Sequence, residues 1–380
     1  MKKFAFVIVF LITLTPLTSG AAGPIYAGWL PYWQKQDGAM DAGLNLDKFQ
    51  EISPFSYEVN VDGTLKDKMN IDEGLWPGWL AAARDAHVKI IPTVAWFDGA
   101  GIQKLLSNAT KRRAHEDIIA KLVTDKKFDG VDIDYESKLA DTKPYFSLFI
   151  QGLAQRLHAK KKLLSCTIEA RMPLADRYAV IPKDTRVAND YVVLNKYCDE
   201  VRVMAYDQGT IDLKLDAKKG TGHLYAPVAD PAWVEKVIKE TVKTISRKKV
   251  MLGIPTYGYE YEVSWANNLT TYRRLRSVNF FTAMNVADRV GATPVRSSAG
   301  ELSFTYASST LIEVSDALRS DVSSTAPAEL LPAPAVTRYI SFTDADAIAQ
   351  KIALVNKYGL RGAAFFKFDG QADPMLWEKL

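Results

Sequence analysis

The segment Phe128-Asp129-Gly130-Val131-Asp132-Ile133-Asp134-Tyr135-Glu136-Ser137 alternates small or acidic residues with apolar ones. In an extended strand alternate side chains share a face, so Gly130, Asp132, Asp134 and Glu136 point one way and Val131, Ile133 and Tyr135 the other. The apolar set suits packing against covering helices. The acidic set would line an interior and end with Glu136 at its mouth. Carboxyls this close cannot all ionise without strong repulsion, so some keep a proton near neutral pH. A carboxyl that does so is what general acid catalysis requires. Two blander arrangements fit less well: a solvated edge strand has no need of strict alternation, and a calcium loop wants a turn-forming glycine at a set spacing that is missing here. The chain has 4 histidines, His87, His115, His158 and His223, and none stands in a metal-ligand pair. The sequence calls for no metal and no cofactor.

An acid at the end of a strand needs a frame that buries the strand on both sides. Short β-branched runs alternate with amphipathic stretches along the chain. The strand candidates are Tyr26 to Trp33, Ile52 to Tyr57, Val88 to Trp96, Phe128 to Glu136, Leu163 to Ala170, Glu200 to Tyr206, Val250 to Tyr257 and Arg361 to Phe368. Helical patterns lie between them, at Trp76 to Ala86, Arg112 to Lys126, Tyr145 to Ala159, Pro231 to Thr244 and Asp344 to Tyr358. The last of these predicts a cap at Thr343 with Asp346 returning the hydrogen bond. This rhythm predicts an α/β fold, a (β/α)8 TIM barrel with its site at the carboxyl ends of the strands. The rhythm breaks after strand seven. Residues 262–342, with a short helical piece from Thr282 to Val290, a strand from Leu302 to Tyr306 and a Ser/Ala/Pro-rich loop from Ser323 to Ala335, are too long for an ordinary connection and predict an inserted α+β subdomain. The barrel then comprises residues 23–261 and 343–380.

Composition agrees with a globular chain: 48% of its 380 residues are hydrophobic and 24% charged. The net charge of +4 is spread without a basic run, which argues against nucleic acid as a partner. Lys2 and Lys3, the apolar stretch Phe4 to Leu17 and the small residues Gly20-Ala21-Ala22 predict an export signal over residues 1–22, whose removal lowers the charge from +4 to +2. The apolar stretch is shorter than the roughly 20 residues that span a bilayer, so the expectation is a secreted or periplasmic monomer with no stable membrane insertion. Cys166 and Cys198 both sit in strand-like surroundings. Export permits a disulfide, but buried free thiols are the commoner outcome and the expectation here.

The acidic segment resembles glycoside hydrolase family 18, the chitinase-like barrels, whose fourth strand carries D-x-x-D-x-D-x-E; the four acids are here as Asp129, Asp132, Asp134 and Glu136. Met204-Ala205-Tyr206-Asp207 is similar to the M-x-Y-D at the end of that family's sixth strand, and the insertion falls where many members carry one. The resemblance implies hydrolysis of β-1,4-linked N-acetylglucosamine polysaccharides, chitin or chito-oligosaccharides, with retained configuration and with the substrate's own acetamide as nucleophile. It implies Glu136 as acid and then base, Asp134 as the acceptor of the acetamide N–H, Asp132 sharing a proton with Asp134, and Tyr206 holding the acetamide oxygen. Asp207 would touch a sugar hydroxyl or tune the acid. Trp29, Trp96 and Tyr257 are candidate sugar contacts, with Tyr32 and Trp33 nearby.

Two departures from the family pattern stand out. Strand three reads Thr93-Val94-Ala95-Trp96 in place of S-x-G-G, and on strand eight Phe366 takes the place of the tryptophan that floors the subsite. A phenyl ring stacks with less area and has no indole N–H. Together with Gly253-Ile254-Pro255-Thr256-Tyr257-Gly258-Tyr259, strand three is similar to the bacterial branch related to spore-cortex and cell-wall glucosaminidases. The alternatives are therefore a peptidoglycan N-acetylglucosaminidase of the same family and a lectin-like barrel that binds glycan without turnover. The intact Glu136 argues against the lectin.

Overall fold

The computed structural model describes residues 23–266, 269–308 and 336–380. The expected signal at residues 1–22 and the loop from Ser323 to Ala335 lie outside them. The strands in chain order are β1 (Ile25–Pro31), β2 (Glu51–Val59), β3 (Leu65–Asp67), β4 (Lys89–Ile90), β5 (Thr93–Trp96), β6 (Gly130–Tyr135), β7 (Leu163–Glu169), β8 (Glu200–Met204), β9 (Val250–Pro255), β10 (Tyr257–Ala266), β11 (Leu269–Asn279), β12 (Val295–Arg296), β13 (Leu302–Ala307), β14 (Thr337–Phe342) and β15 (Gly362–Phe366). Eight of them, β1, β2, β5, β6, β7, β8, β9 and β15, pair in parallel, and β1–β2 pairing closes the ring. Helices between successive barrel strands complete the predicted (β/α)8 barrel. No helix among the described residues is long and apolar enough to cross a membrane.

Local chemistry explains several breaks. The expected third strand is split into β4 and β5 at Pro92, which has no N–H to give the ladder, although its carbonyl still accepts from Asp132 N at 3.0 Å. At the entry to β6, the Asp129 carboxylate accepts the N–H of Ile90 at 2.8 Å, and the Asp199 carboxylate repeats the device on Leu164 N at 2.8 Å before β8. Asp129 thus ties strands rather than facing the interior. The amino end of the barrel is plugged by ions: the guanidinium of Arg202 lies 3.5 Å from Glu51 and 3.4 Å from Glu200, and Arg361 reaches Glu200 at 2.8 Å. Burial, followed by the charge of Glu200, pushes the Glu51 carboxyl up to about 7.

The insertion forms its own antiparallel sheet in the order β11-β10-β14-β13-β12, covered by the helix Phe280–Val290. That helix is capped by Asn279, which accepts from Thr282 N at 2.8 Å, and it stops at Gly291, whose φ of 66° is left-handed. The sheet starts at Tyr257, one residue past the end of the barrel strand at Pro255, so Tyr257 belongs to the insertion's sheet and not to barrel strand seven.

Two further expectations are corrected. Cys166 on β7 and Cys198 just before β8 form a disulfide, with Cα atoms 6.2 Å apart; adjacent strand positions brought them within reach, which the 32-residue separation in sequence hid. The last helix, Ala345–Tyr358, is capped by Asp344 accepting from Ala347 N at 3.0 Å, not by Thr343. Thr343 is buried with its hydroxyl unpaired, and Asp346 faces Arg296 and Lys379 instead of returning a capping bond.

Candidate active site

Strand alternation places Asp132 and Asp134 inside the barrel and Val131, Ile133 and Tyr135 in the layer against the outer helices, where all three are wholly buried. Tyr135 is fixed there by His115, whose Nδ1 donates to the Gly63 carbonyl at 2.7 Å and whose Nε2 accepts from the Tyr135 hydroxyl. Burial keeps that imidazole neutral, with its pKa pushed down to about 4.

Asp132 is the lowest acid and is wholly buried. Its oxygens accept from Trp29 Nε1 at 3.2 Å, Thr93 Oγ1 at 3.0 Å, Ser165 Oγ at 2.8 Å and Thr167 Oγ1 at 2.9 Å. Barrel register explains the set: Thr93 and Ser165 are the residues paired with Asp132 on the two neighbouring strands. No hydrogen bond joins Asp132 to Asp134 in this arrangement. Above it, Asp134 lines the cavity, and its Oδ1 is buried with no hydrogen-bond partner. Burial, then the charges of Glu136 and Asp132, holds the Asp134 carboxyl well above the usual carboxylate range. Glu136 follows at the mouth. Burial and then the Glu169 carboxylate raise its pKa, while Lys138 opposes the shift.

These acids open into a cavity of about 450 Å³ lined by Trp29, Tyr32, Trp33, Asp134, Glu136, Tyr206, Asp207, Tyr257 and Phe366 among others. That size suits one or two sugar rings. Tyr206 lies against β9 because residue 253 is glycine: a Cβ there would meet Val203 O at 2.4 Å and Tyr206 Cε1 at 3.0 Å. Its hydroxyl keeps its proton, since burial and the neighbouring Asp134 and Asp207 raise its pKa well above the ordinary value. Asp207 is in the left-handed region at φ 62°, a conformation that aspartate tolerates better than most residues. Its Oδ1 accepts from Tyr257 Oη at 2.5 Å and Tyr259 Oη at 2.7 Å. Phe366 stacks on Tyr206 at 5.7 Å and 18° and meets Trp29 and Tyr257 edge-on at 5.9 and 6.0 Å. No group of three or more histidine, cysteine, aspartate or glutamate side chains able to hold a metal ion occurs among the described residues.

Trp96 is the sequence candidate that the structure keeps away from this cavity. It packs edge-on against Tyr135 at 5.7 Å and His115 at 6.2 Å, in the outer layer. The interior residues of β5 are Thr93 and Ala95, and the same parity brings the next residue, Phe97, to the cavity rim with Phe55. Phe97 and Trp33 are 49% and 46% exposed, so these rings, unlike the buried Trp29, have faces free for a ligand. Thr93 and Ser165 could have been found by asking which residues flank Asp132 in register. Tyr259 had no local signal, because it reaches the site from the inserted sheet.

Comparison with known proteins agrees with this geometry. A curated relative, the uncharacterized glycosylase YvbX of Bacillus subtilis (strain 168), is 29% identical over 169 residues, 44% of this chain and 44% of that one. The chain matches about half the length of such curated relatives. Among solved structures, a class V chitinase from Pseudomonas fluorescens Pf-5 superposes with a TM-score of 0.71 at 17% identity, over 94% of this chain and 98% of that one. The spore cortex-lytic enzyme SleL of Bacillus megaterium QM B1551 superposes with a TM-score of 0.69 at 18% identity, over 93% and 72%. At such identities the likeness shows the shared fold. The profile described as "Glycosyl hydrolases family 18" matches residues 55–371, most of the sequence, and with the fold and the acids of β6 it sets the conclusion: the chain belongs to glycosyl hydrolases family 18.

Proposed function

We propose that the chain hydrolyses β-1,4-linked N-acetylglucosamine glycans with retention of configuration, through an oxazolinium formed by the substrate's acetamide. The observation that carries this is the placing of two carboxyls, Asp134 and Glu136, in one cavity with Tyr206, where burial raises the pKa of both and Asp134 Oδ1 is buried and unpartnered. In the proposed first step Glu136 gives its proton to the glycosidic oxygen as the acetamide oxygen bonds to C1 and the C1–O bond breaks. Asp134 Oδ1 takes the acetamide N–H, a donor that its surroundings do not supply. The four donors on Asp132 fix that carboxyl as the floor beneath Asp134. Tyr206 holds the acetamide oxygen, Asp207 receives a sugar hydroxyl on its second oxygen, and Phe366 and Trp29 line the ring's floor. Glu136 then takes a proton from a water whose oxygen bonds to C1 as the bond from C1 to the acetamide oxygen breaks, which restores the acetamide and retains the configuration.

Export supports the reading, since a polymeric glycan is met outside the cytoplasm. The Cys166–Cys198 disulfide supports export in turn, because such bonds form and persist in oxidising compartments. The test is to incubate the protein with chito-oligosaccharides and with peptidoglycan sacculi and identify the new reducing ends. NMR of the first product should show the β-anomer; an α-anomer contradicts the mechanism. Glu136→Gln should retain the fold and lose about 10²- to 10⁴-fold in kcat, and activity within about threefold of the parent would remove Glu136 from the acid's role. Binding without any turnover on either glycan would favour the lectin-like reading.

A further inference from the structure

Beside Glu136, past the ends of β6 and β7, lies a second concavity of about 240 Å³ lined by Lys138, Glu169, Arg171, Arg177, Arg186 and Asn189, with small residues between them. It holds four cations and one carboxylate. Their partners decide what it offers. Glu169 is matched by Lys138 Nζ at 3.5 Å and accepts from Asn189 Nδ2 at 2.5 Å. Arg186 turns outward to Asp184 at 2.8 Å and Asp141 at 2.6 Å. Arg171 and Arg177 have no carboxylate within ion-pair distance among the described residues. Arg171 is nevertheless held in place: its guanidinium lies 3.8 Å from the centroid of the Tyr191 ring, and Nη2 donates to the Asn189 carbonyl. A guanidinium held in place by packing, with donors to spare and no internal acid, is a preorganised receptor for an anion.

Its position says which part of a substrate would bring that anion. Glu136 lines the first concavity with the acetamide-binding groups Asp134 and Tyr206, while Lys138, two residues further along the same chain segment, and Glu169, at the end of the neighbouring β7, line the second. The proton of Glu136 goes to the oxygen linking the sugar in the first cavity to the departing one. What lies beyond Glu136 is therefore the departing sugar.

We infer that this groove binds a carboxylate carried by the leaving-group sugar, with Arg171 and Arg177 as its ligands. The inference rests on the hydrolase reading above and narrows it, because unsubstituted N-acetylglucosamine polymers carry no carboxylate. A 3-O-lactyl ether on the departing sugar supplies one, and so does a peptide attached to that ether.

The test compares kcat/KM of the full chain on oligosaccharides alternating N-acetylglucosamine with its 3-O-lactyl derivative. One substrate has the free lactyl carboxylate, one its methyl ester, and one a peptide on the lactyl group. The parent should prefer the free acid or the peptide form to the ester, and added salt should shrink the preference. The preference should fall about tenfold, mainly through KM, in the Arg171→Gln/Arg177→Gln double variant, as loss of a charge-assisted pair of donors implies, and Arg171→Lys should retain part of it. A preference confined to the peptide form places the carboxylate on the peptide. Equal turnover of acid, peptide form and ester by the parent overturns the inference while leaving hydrolysis standing, and so does an equal loss on all substrates in the double variant. If none of the three is cleaved while chito-oligosaccharides are, the inference fails and hydrolysis stands; if chito-oligosaccharides also go uncleaved, the hydrolase reading fails, and calorimetric binding of the acid and ester forms decides the groove: equal affinity rejects it.

Discussion

Tyr259 Oη donates to Asp207 Oδ1 at 2.7 Å, so a residue of the inserted sheet fixes a carboxylate that belongs to the end of a barrel strand. Tyr257, from the same sheet, takes the same oxygen. Both bonds fall on Oδ1 and hold Asp207 with its second oxygen free. Tyr259→Phe removes one donor and keeps the ring. The expected outcome is a loss of about 2- to 12-fold in kcat/KM, the net worth of one hydrogen bond, with a melting temperature close to the parent's. An unchanged kcat/KM would mean that Tyr257 alone holds the carboxylate.

Glu136 has its pKa raised by burial first and by Glu169 second, with Lys138 opposing. The acid acts in its protonated form, so kcat/KM falls as pH rises through its pKa. Glu169→Gln removes a raising charge and frees Lys138 from its partner. Both changes lower the Glu136 pKa, and the alkaline limb of the pH–rate profile should move to lower pH. A limb that stays in place or moves upward assigns it to another group.

Phe366 is boxed by Tyr206, Trp29 and Tyr257, all with ring centroids within 6.0 Å. An indole at this position overpacks that box, and overpacking costs about 1 to 3 kcal/mol. Phe366→Trp should therefore lower kcat/KM by about 5- to 150-fold if the cost falls wholly on the bound state. A gain on neutral N-acetylglucosamine oligomers would show that the larger face is accommodated and that the phenyl ring limits binding. No effect from either Phe366→Trp or Phe366→Ala would remove the side chain from the substrate's path.

His115 is a neutral core imidazole whose pKa is pushed down to about 4 from the ordinary histidine value of about 6.5, chiefly by burial. The unfolded chain takes up a proton that the folded chain refuses. Its stabilising effect is thus complete above about pH 6.5 and erodes as pH falls toward about 4, by up to about 3 kcal/mol. Urea unfolding at neutral pH and at about pH 5 should show a drop in parent stability that is smaller by about 2 kcal/mol in His115→Gln. The same pH dependence in both would show that other groups carry the acid sensitivity.

The sequence made the acids legible because one strand carries them and alternation alone sorts its two faces. It failed where parity had to be set from outside the strand. Trp96 was expected at the sugar because it ends β5, yet Thr93 answers to Asp132 across the sheet, and that register sends Trp96 outward and Phe97 inward. The cap at Thr343 was one residue early, because Ser, Thr and Asp compete for the same role and Thr343-Asp344 offers both. Tyr259 on Asp207, 52 residues away, and the cluster of Arg171 with Asn189 arise only from the closed fold. The same holds for the cystine, whose halves sit on ordinary-looking strand segments.

That cystine also encloses the arginine-bearing segment in a covalent ring. Residues 174–187 of the ring are mostly exposed and include Arg177, Lys183 and Arg186, where trypsin-like proteases cut. A cut there leaves two fragments joined through sulfur and still held in one barrel. The nicked chain should migrate as a single band without reductant, split into two with it, and keep the β6 acids in place throughout. Proteolytic nicking could thus alter the arginine groove beside Glu136 while leaving the molecule in one piece.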